Sequence, residues 1–535
     1  MGLSRKLLSS AVVAALGGFL FGFDTVVISG AEQTIQSLWS LSDTMHGLAT
    51  SAALWGTVLG ALTGSIPTDR LGRKGTLGWI GVLYFVSAVW SGMAGGPYSF
   101  MIARFIGGVG VGISTVAAPL YIAEIAPAEW RGRLTGMFQF NIVFGILMAF
   151  LSNYLLKTSL SGDAWRWMLG VEAVPALVYT VFTLGIPESP RWLIGFRRDS
   201  AAARQVLTKI QPAAADAEID ATVAEIENAA HSEESASGGS AWPRWLVTPM
   251  LLAFTIAFFN QLSGINAVLY FAPRILGMTG LGEQASMIQS TGIGLVNLLF
   301  TFVGLWLIDR LGRRNLMLIG SVGYIASLSL IAAVFFAKAA PFGVAANALE
   351  AQSAYEELAA AQSTDQADLE PLRQQADSAR ERLLAATANA DYPPGTATLP
   401  ADSDPAALAV AAGLLAEQAS EAAGSGGALV LLGIFAFIAS HAVGQGAVIW
   451  VFISEIFPNE HRAVGNSIGS GTHWVFAALV TMAFPVAAGA FAPGYIFAFF
   501  AFMMVLQLLW TLTLMPETKG VPLEEIQQRF ASRAA

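Results

Sequence analysis

The sequence predicts an all-α membrane protein. It has twelve transmembrane helices in two six-helix halves, with cytoplasmic linker helices between the halves and a helical extracytoplasmic insertion in the second. Three observations carry this prediction. Of 535 residues, 55% are hydrophobic and only 12% charged, against about 25% charged in a typical soluble domain. Twelve apolar runs are long enough to cross the ~30 Å hydrocarbon core, which takes about 20 helical residues. The polar connections between runs also repeat. Asp69-Arg70-Leu71-Gly72-Arg73-Lys74 returns as Asp309-Arg310-Leu311-Gly312-Arg313-Arg314 at an offset of 240. Glu124, Pro127 and Arg131 return as Glu455, Pro458 and Arg462 at an offset of 331, and Pro187-Glu188 returns as Pro516-Glu517 at an offset of 329. Such self-similarity marks two related halves.

The first run, near 8–30, follows Arg5 and Lys6 as a signal peptide would. It continues without a small-residue cleavage site and reads as a first span. Spans near 47–67, 76–95, 98–122, 132–154 and 167–186 complete the N-terminal half, residues 1–186. Residues 187–245 predict a cytoplasmic linker, with amphipathic helices near 200–211 and 216–230 and a flexible Ser/Gly/Ala stretch at 231–240. Spans near 246–272, 285–308 and 315–337 open the C-terminal half as residues 246–337. Spans near 428–452, 464–490 and 493–515 close it as residues 429–515. The tail, 516–535, predicts one short helix at 522–526.

The jump in offset, about 90 residues, places an insertion at 338–428. That stretch holds 13 acidic and 4 basic side chains, and the rest of the chain balances in charge. Its Ala, Glu and Gln favour helix. Helices are expected near 346–388 and 405–422, broken at Asp391-Tyr392-Pro393-Pro394-Gly395. A solvated helical hairpin with no direct role is the plain reading. A lid over the outer mouth or a docking surface is the alternative.

With both termini cytoplasmic, 20 Lys and Arg fall on the cytoplasmic side and seven on the other, four of these in the long insertion. The positive-inside rule supports this orientation. Cysteine is absent, which excludes disulfides and thiolate metal sites. No Walker loop is present to bring ATP drive. Gly465-Asn466-Ser467-Ile468-Gly469 fits a nucleophile-elbow pattern, but it opens a membrane helix and lacks the strand-to-helix setting. The residues therefore offer no catalytic set, and the charge offers no nucleic-acid partner.

One stretch of the seventh run concentrates polar chemistry: Asn260, Gln261 and Asn266 around Ser263-Gly264, followed by Tyr270. Polar groups at membrane depth are costly unless they face protein, water or a ligand. A lone amide often only joins helices. Three amides around a Ser-Gly suggest a lined cavity. On an ideal helix Gln261 and Asn266 lie about 140° apart, so both can face one ligand only if Ser263-Gly264 loosens the helix or the ligand sits at a local break. Asp24 is a carboxylate inside the first run, at a cost on the order of 2.5–3.5 kcal/mol. Arg104 is the one basic residue well inside a run and its natural partner. A cation nearby favours the charged carboxylate, and its departure favours the neutral form.

The motifs taken together resemble the sugar porter family of the major facilitator superfamily. They are Gly17-Gly18-Phe19-Leu20-Phe21-Gly22-Phe23-Asp24, both Asp-Arg-Leu-Gly-Arg loops, Pro119-Leu120-Tyr121-Ile122-Ala123-Glu124, Pro187-Glu188-Ser189-Pro190-Arg191-Trp192-Leu193, Gln261-Leu262-Ser263-Gly264-Ile265-Asn266 and Pro516-Glu517-Thr518-Lys519-Gly520. The resemblance covers nearly all of the chain except 338–428.

The resemblance implies the major facilitator fold and import of a monosaccharide by proton symport with alternating access. A passive facilitator is the alternative, and a non-transporting sugar sensor a more distant one. It implies substrate binding by Gln139, Asn260, Gln261, Asn266, Asn297 and Trp450, with Phe23, Tyr270, Gly446 and His473 beside them. Proton coupling falls to Asp24 and Arg104. A conformational latch falls to Asp69, Arg70, Arg73, Glu124, Arg131 and Glu188 and their counterparts Asp309, Arg310, Arg313, Glu455, Arg462 and Glu517. The coupling ion is the proton, with no metal and no other cofactor. The partners are a monosaccharide and the lipid bilayer of the cell membrane, with the monomer as the working unit. Four positions depart from the family pattern: Asn260 for Gln, Phe23 for Tyr, Ala447 for Pro, and His473 for Asn or Gln.

Overall fold

The computed structural model describes residues 4–160, 162–236, 244–363, 369–389, 399, 404–457, 461–521, 525, 526 and 530. Among them there is helix and no strand. The first six spans are Arg5–Val27, Asp43–Thr63, Gly72–Met93, Pro97–Ile125, Ala128–Ser159, and the pair Ala164–Gly170 and Ala173–Gly185. Span seven is built from three pieces, Val247–Leu262, Ile265–Tyr270 and Ala272–Gly277. Spans eight and nine are Glu283–Leu311 and Arg313–Ala337. Span ten is split into Gly426–Val443 and Gln445–Ile456, and spans eleven and twelve are Arg462–Ala490 and Pro493–Thr513. Eleven of these are long and apolar enough to cross a membrane. The second span falls short because Asp43, His46, Thr50, Ser51, Thr57 and Thr63 lower its mean hydropathy, yet it has 21 residues and a buried face.

Local chemistry sets several helix starts. Ser4 and Ser42 cap spans one and two, each accepting a hydrogen bond from the backbone N–H three residues on, as helix N-termini require. Pro97 and Pro493 occupy the first turns of spans four and twelve, where a missing N–H costs nothing. Two seams join the halves, span two against span eleven and span five against span eight. A large apolar core runs across both halves, and a second core lies within the N-terminal half.

The linker forms helices Pro190–Gly195, Ser200–Ile210 and Asp216–Ala236. The last of these continues six residues into the stretch expected to be flexible. The remainder of that stretch, the Asp391–Gly395 break and residues 522–524 lie outside the described residues. The insertion differs from the expected two helices. Among the described residues it forms three, Ala339–Ser363, Glu370–Asn389 and Pro405–Ala423. The first continues almost directly from span nine. All three share a core of their own, which includes Val344, Ala348, Leu358, Leu383, Leu408 and Leu415. A bundle buries the apolar stripe that a lone hairpin would leave wet.

Candidate functional site

Gly264 takes a left-handed conformation, φ 85° and ψ 11°, which a side chain would resist. A Cβ there would also come within 2.6 Å of the Phe500 ring. Span seven therefore breaks at Ser263-Gly264, and the break resolves the angular conflict read in the sequence. Asn266 donates from Nδ2 to Gln261 Oε1 at 2.7 Å. Gln261 donates to Asn260 Oδ1 at 3.0 Å, and its Nε2 lies 3.1 Å from His473 Nε2. The His473 ring stands 5.1 Å from that of Trp450 and 4.7 Å from that of Trp474. One polar patch thus gathers Asn260, Gln261, Asn266 and His473 beside Trp450.

The patch continues into the protein through a residue the sequence reading passed over. Span ten breaks at Gly444, and the next residue, Gln445, is fully buried. Gln445 Oε1 accepts from Asn260 Nδ2 and from the Tyr324 hydroxyl, each at 3.2 Å. Its amide donates to Gln507, which in turn donates to Ser321 Oγ at 2.8 Å. Tyr324 also meets His441 Nδ1 at 2.5 Å. Spans seven, nine, ten and twelve are tied together in this way. Buried polar groups need such partners.

The other candidates lie as follows. Asn297, Phe23 and Tyr270 are buried, and Gln139 is half-buried on span five. Gly446 sits against His441, where a Cβ would come within 3.1 Å of its carbonyl oxygen.

Asp24 and Arg104 meet. Arg104 donates from Nη1 to Asp24 Oδ1 at 2.5 Å and from Nη2 to the Asp24 carbonyl at 2.8 Å, and both side chains are buried. A second carboxylate, Glu172, is buried close enough to act on both. One of its oxygens has no hydrogen-bond partner. The rule that singled out Asp24, an acid inside an apolar run, applies equally to Glu172 and would have found it.

The repeated charged motifs form two matching rings at one face, here termed the motif face. Arg73 grips Glu124 through Nε and Nη2 at 3.0 and 2.9 Å, and Arg313 grips Glu455 at 3.0 and 2.7 Å. Asp69 and Asp309 add pairs to the same arginines at 3.2 and 3.5 Å. Glu188 accepts the backbone N–H groups of Arg73, Lys74 and Ser189, and Glu517 those of Arg313, Arg314 and Lys519. Each glutamate caps the start of a span contributed by another part of its half, where unpaired N–H groups and the helix dipole favour an anion. Burial pushes the Glu188 carboxyl up from its ordinary range, against the pull of those N–H groups. These pairs close within each half rather than between halves. Arg70 and Arg131 are exposed, and Arg310 lies over the Trp306 ring at 3.9 Å. The side chain of Arg462 lies outside the described residues. A cavity of about 620 Å³ opens at this face beside Arg73, Glu124 and Trp192. It touches none of the amides above, so the polar patch carries more weight as a substrate candidate.

Comparison with known proteins bears on this arrangement. The family model described as "Sugar (and other) transporter" matches residues 10–350 and 406–530. The chain belongs to the sugar porter family of the major facilitator superfamily. That is a family of transporters, not enzymes. The interruption in the match falls inside the insertion. The chain is 29% identical to a glucose transporter of Staphylococcus epidermidis, over 98% of this chain and 97% of that protein. It is 27% identical to the D-xylose-proton symporter of Escherichia coli K12, over 98% and 96%. Among solved structures, the inward-open xylose transporter XylE from E. coli aligns with a TM-score of 0.71 at 27% identity, covering 98% of this transporter and 99% of that chain.

Proposed function

We propose that this transporter imports a monosaccharide by proton symport, with the motif face and both termini cytoplasmic and the monomer as the working unit. The observation that carries the proton is the buried Asp24–Arg104 pair with Glu172 beside it. Breaking such a pair by removing one charge costs about 3–5 kcal/mol, so neutralising Asp24 changes which conformation its half prefers. Protonation of Asp24 releases Arg104, and the nearby Glu172 can take up the freed guanidinium. A passive facilitator needs no such device at membrane depth.

The sugar is assigned to the patch of Asn260, Gln261, Asn266 and His473, with Gln139 and Asn297 completing it and Trp450 as the apolar wall. Amides both donate and accept, as a ring of hydroxyls requires. Alternating access follows from rocking the halves about the two seams, spans two and eleven and spans five and eight. The Arg73–Glu124 and Arg313–Glu455 rings, with their capping glutamates, set the balance between states from the motif face. The names of the relatives, a glucose transporter and a D-xylose-proton symporter, support hexoses and pentoses as the substrate class. The test is uptake of a hexose and pentose panel into proteoliposomes, with and without an imposed proton gradient. Gradient-driven accumulation of one monosaccharide supports the reading. Uptake that only equilibrates, whatever the gradient, supports the facilitator instead.

A further inference from the structure

The face opposite the motifs, the far face, is closed by charges that cross between the halves. Glu32 follows the first span and is fully buried. Arg274 lies on the last piece of span seven, in the other half. Its Nη2 donates to Glu32 Oε2 at 2.7 Å, its Nε to Glu32 Oε1 at 3.0 Å, and Nη2 also to Gln36 Oε1 at 2.5 Å. His46, at the start of span two, holds the same carboxylate through Nε2 at 2.8 Å. Gln36 donates in turn to Asp43 at 3.2 Å. Phe271 seals the spot, edge-on to the His46 ring and stacked on Phe484 at 4.8 Å.

Arg274 rides on a short element set off by a break. Its helix, Ala272–Gly277, is only six residues long. It is bounded by a break at Phe271 and by Gly280, whose φ is 82°. The insertion bears on this same element. Ala345 of its first helix lies against Gly280, so closely that a Cβ on Gly280 would fall 2.4 Å from it. Glu350, little more than one turn further along, is half-exposed and paired with Arg382 at 2.5 Å. Burial works against the Arg274 charge, and Glu32, Asp43 and Glu350 act to restore it. Glu350 thus stands on the insertion helix that packs against the end of the element carrying Arg274.

We propose that the insertion is a gate partner: when the far face opens, Arg274 leaves Glu32 and passes to Glu350, displacing Arg382. The hand-over lets the arginine leave a buried carboxylate without losing a counter-charge, and it makes the insertion a stabiliser of the open far face. Glu32 and Glu350 then pull the same arginine in opposite directions, and Arg382 competes with it for Glu350.

Because the chain has no cysteine, a spin-label pair at Leu38→Cys and Phe491→Cys reports the far face without background. Both positions are exposed on opposite halves. The measurement is the inter-label distance distribution of the full chain in lipid nanodiscs. Glu32→Gln should raise the open fraction on the order of tenfold, since a charge-neutral partner no longer holds the arginine. Glu350→Gln should lower the open fraction severalfold, and Arg382→Gln should raise it by freeing Glu350. Both latter sites are surface positions that leave the buried cluster intact, so the result does not depend on the Glu32 variant folding. Unchanged distances in Glu350→Gln and Arg382→Gln, or shifts of the same sign in both, overturn the proposal. The readout needs neither sugar nor proton gradient and stands apart from the assignment of proton symport.

Discussion

Replacing Gln445 with Met keeps the volume of the side chain and removes its hydrogen bonds. In the structure three bonds are lost: those to Asn260 Nδ2, the Tyr324 hydroxyl and Gln507. Tyr324 keeps His441 and the Gln507 amide keeps Ser321. Two groups are left unpaired, Asn260 Nδ2 and Gln507 Oε1. At about 1–3 kcal/mol for each buried orphan, the cost is about 2–6 kcal/mol. Interhelical bonds in membranes average only about 0.6 kcal/mol each, because a chain unfolded in lipid finds other partners, which gives about 2 kcal/mol for three. The expected loss is therefore about 2–4 kcal/mol, read by denaturant unfolding in mixed micelles. Asn260 also loses its anchor beside Gln261, so sugar affinity should fall roughly tenfold, about 1.4 kcal/mol. A double-mutant cycle with Asn260→Leu should show a coupling of about 0.5–3 kcal/mol. A Gln445→Met variant within about 0.5 kcal/mol of wild type, or strict additivity with Asn260→Leu, would refute the reasoning.

Two further outcomes follow from single positions. Gly72 and Gly312 hold φ values of 81° and 89°, and a Cβ on either would come within 2.3 and 2.5 Å of the capping carboxylates of Glu188 and Glu517. Alanine at either should lower the unfolding midpoint and cost about 1–3 kcal/mol, and equal stability to wild type would contradict the capping role. At the far face, burial pushes the Glu32 carboxyl up, but the charges and hydrogen bonds of Arg274 and His46 outweigh it and hold it below its ordinary 4.5. A depressed acid contributes stability that is fully present above the ordinary value and is lost as the pH falls through the lower, folded one. The Leu38→Cys/Phe491→Cys distance should thus stay short down to about pH 4.5 and lengthen only below it. An opening centred above about pH 5 would contradict the assignment.

Much of this was legible in the sequence because membrane chemistry is unforgiving. Asp24 and Arg104 could be paired from their isolation in apolar runs, and the fold brings them to 2.5 Å. The repeats of Asp-Arg-Leu-Gly-Arg and Pro-Glu marked two related halves with matching charged motifs, and the geometry supplies a reason for them: the glutamate caps the helix that the glycine begins. The span seven break followed from the angle between Gln261 and Asn266. What escaped were partnerships set by tertiary placement. Gln445, an amide inside an apolar run, carries the same signal as Asn260, but its partners on spans nine and twelve are set only by the fold. Glu32 and Arg274 stand 242 positions apart, both just beyond the apolar runs read as spans, where a charge reads as solvated unless its partner is seen. The insertion read as a hairpin because periodicity within a single chain segment does not reveal which neighbours bury its apolar stripe.

The central claim, that Asp24 couples proton movement to sugar movement, is tested most directly in proteoliposomes carrying an inside-alkaline gradient. The account predicts that wild type concentrates the transported monosaccharide above its external level and that Asp24→Asn abolishes this accumulation while sugar exchange continues. Undiminished uphill uptake by Asp24→Asn would contradict it.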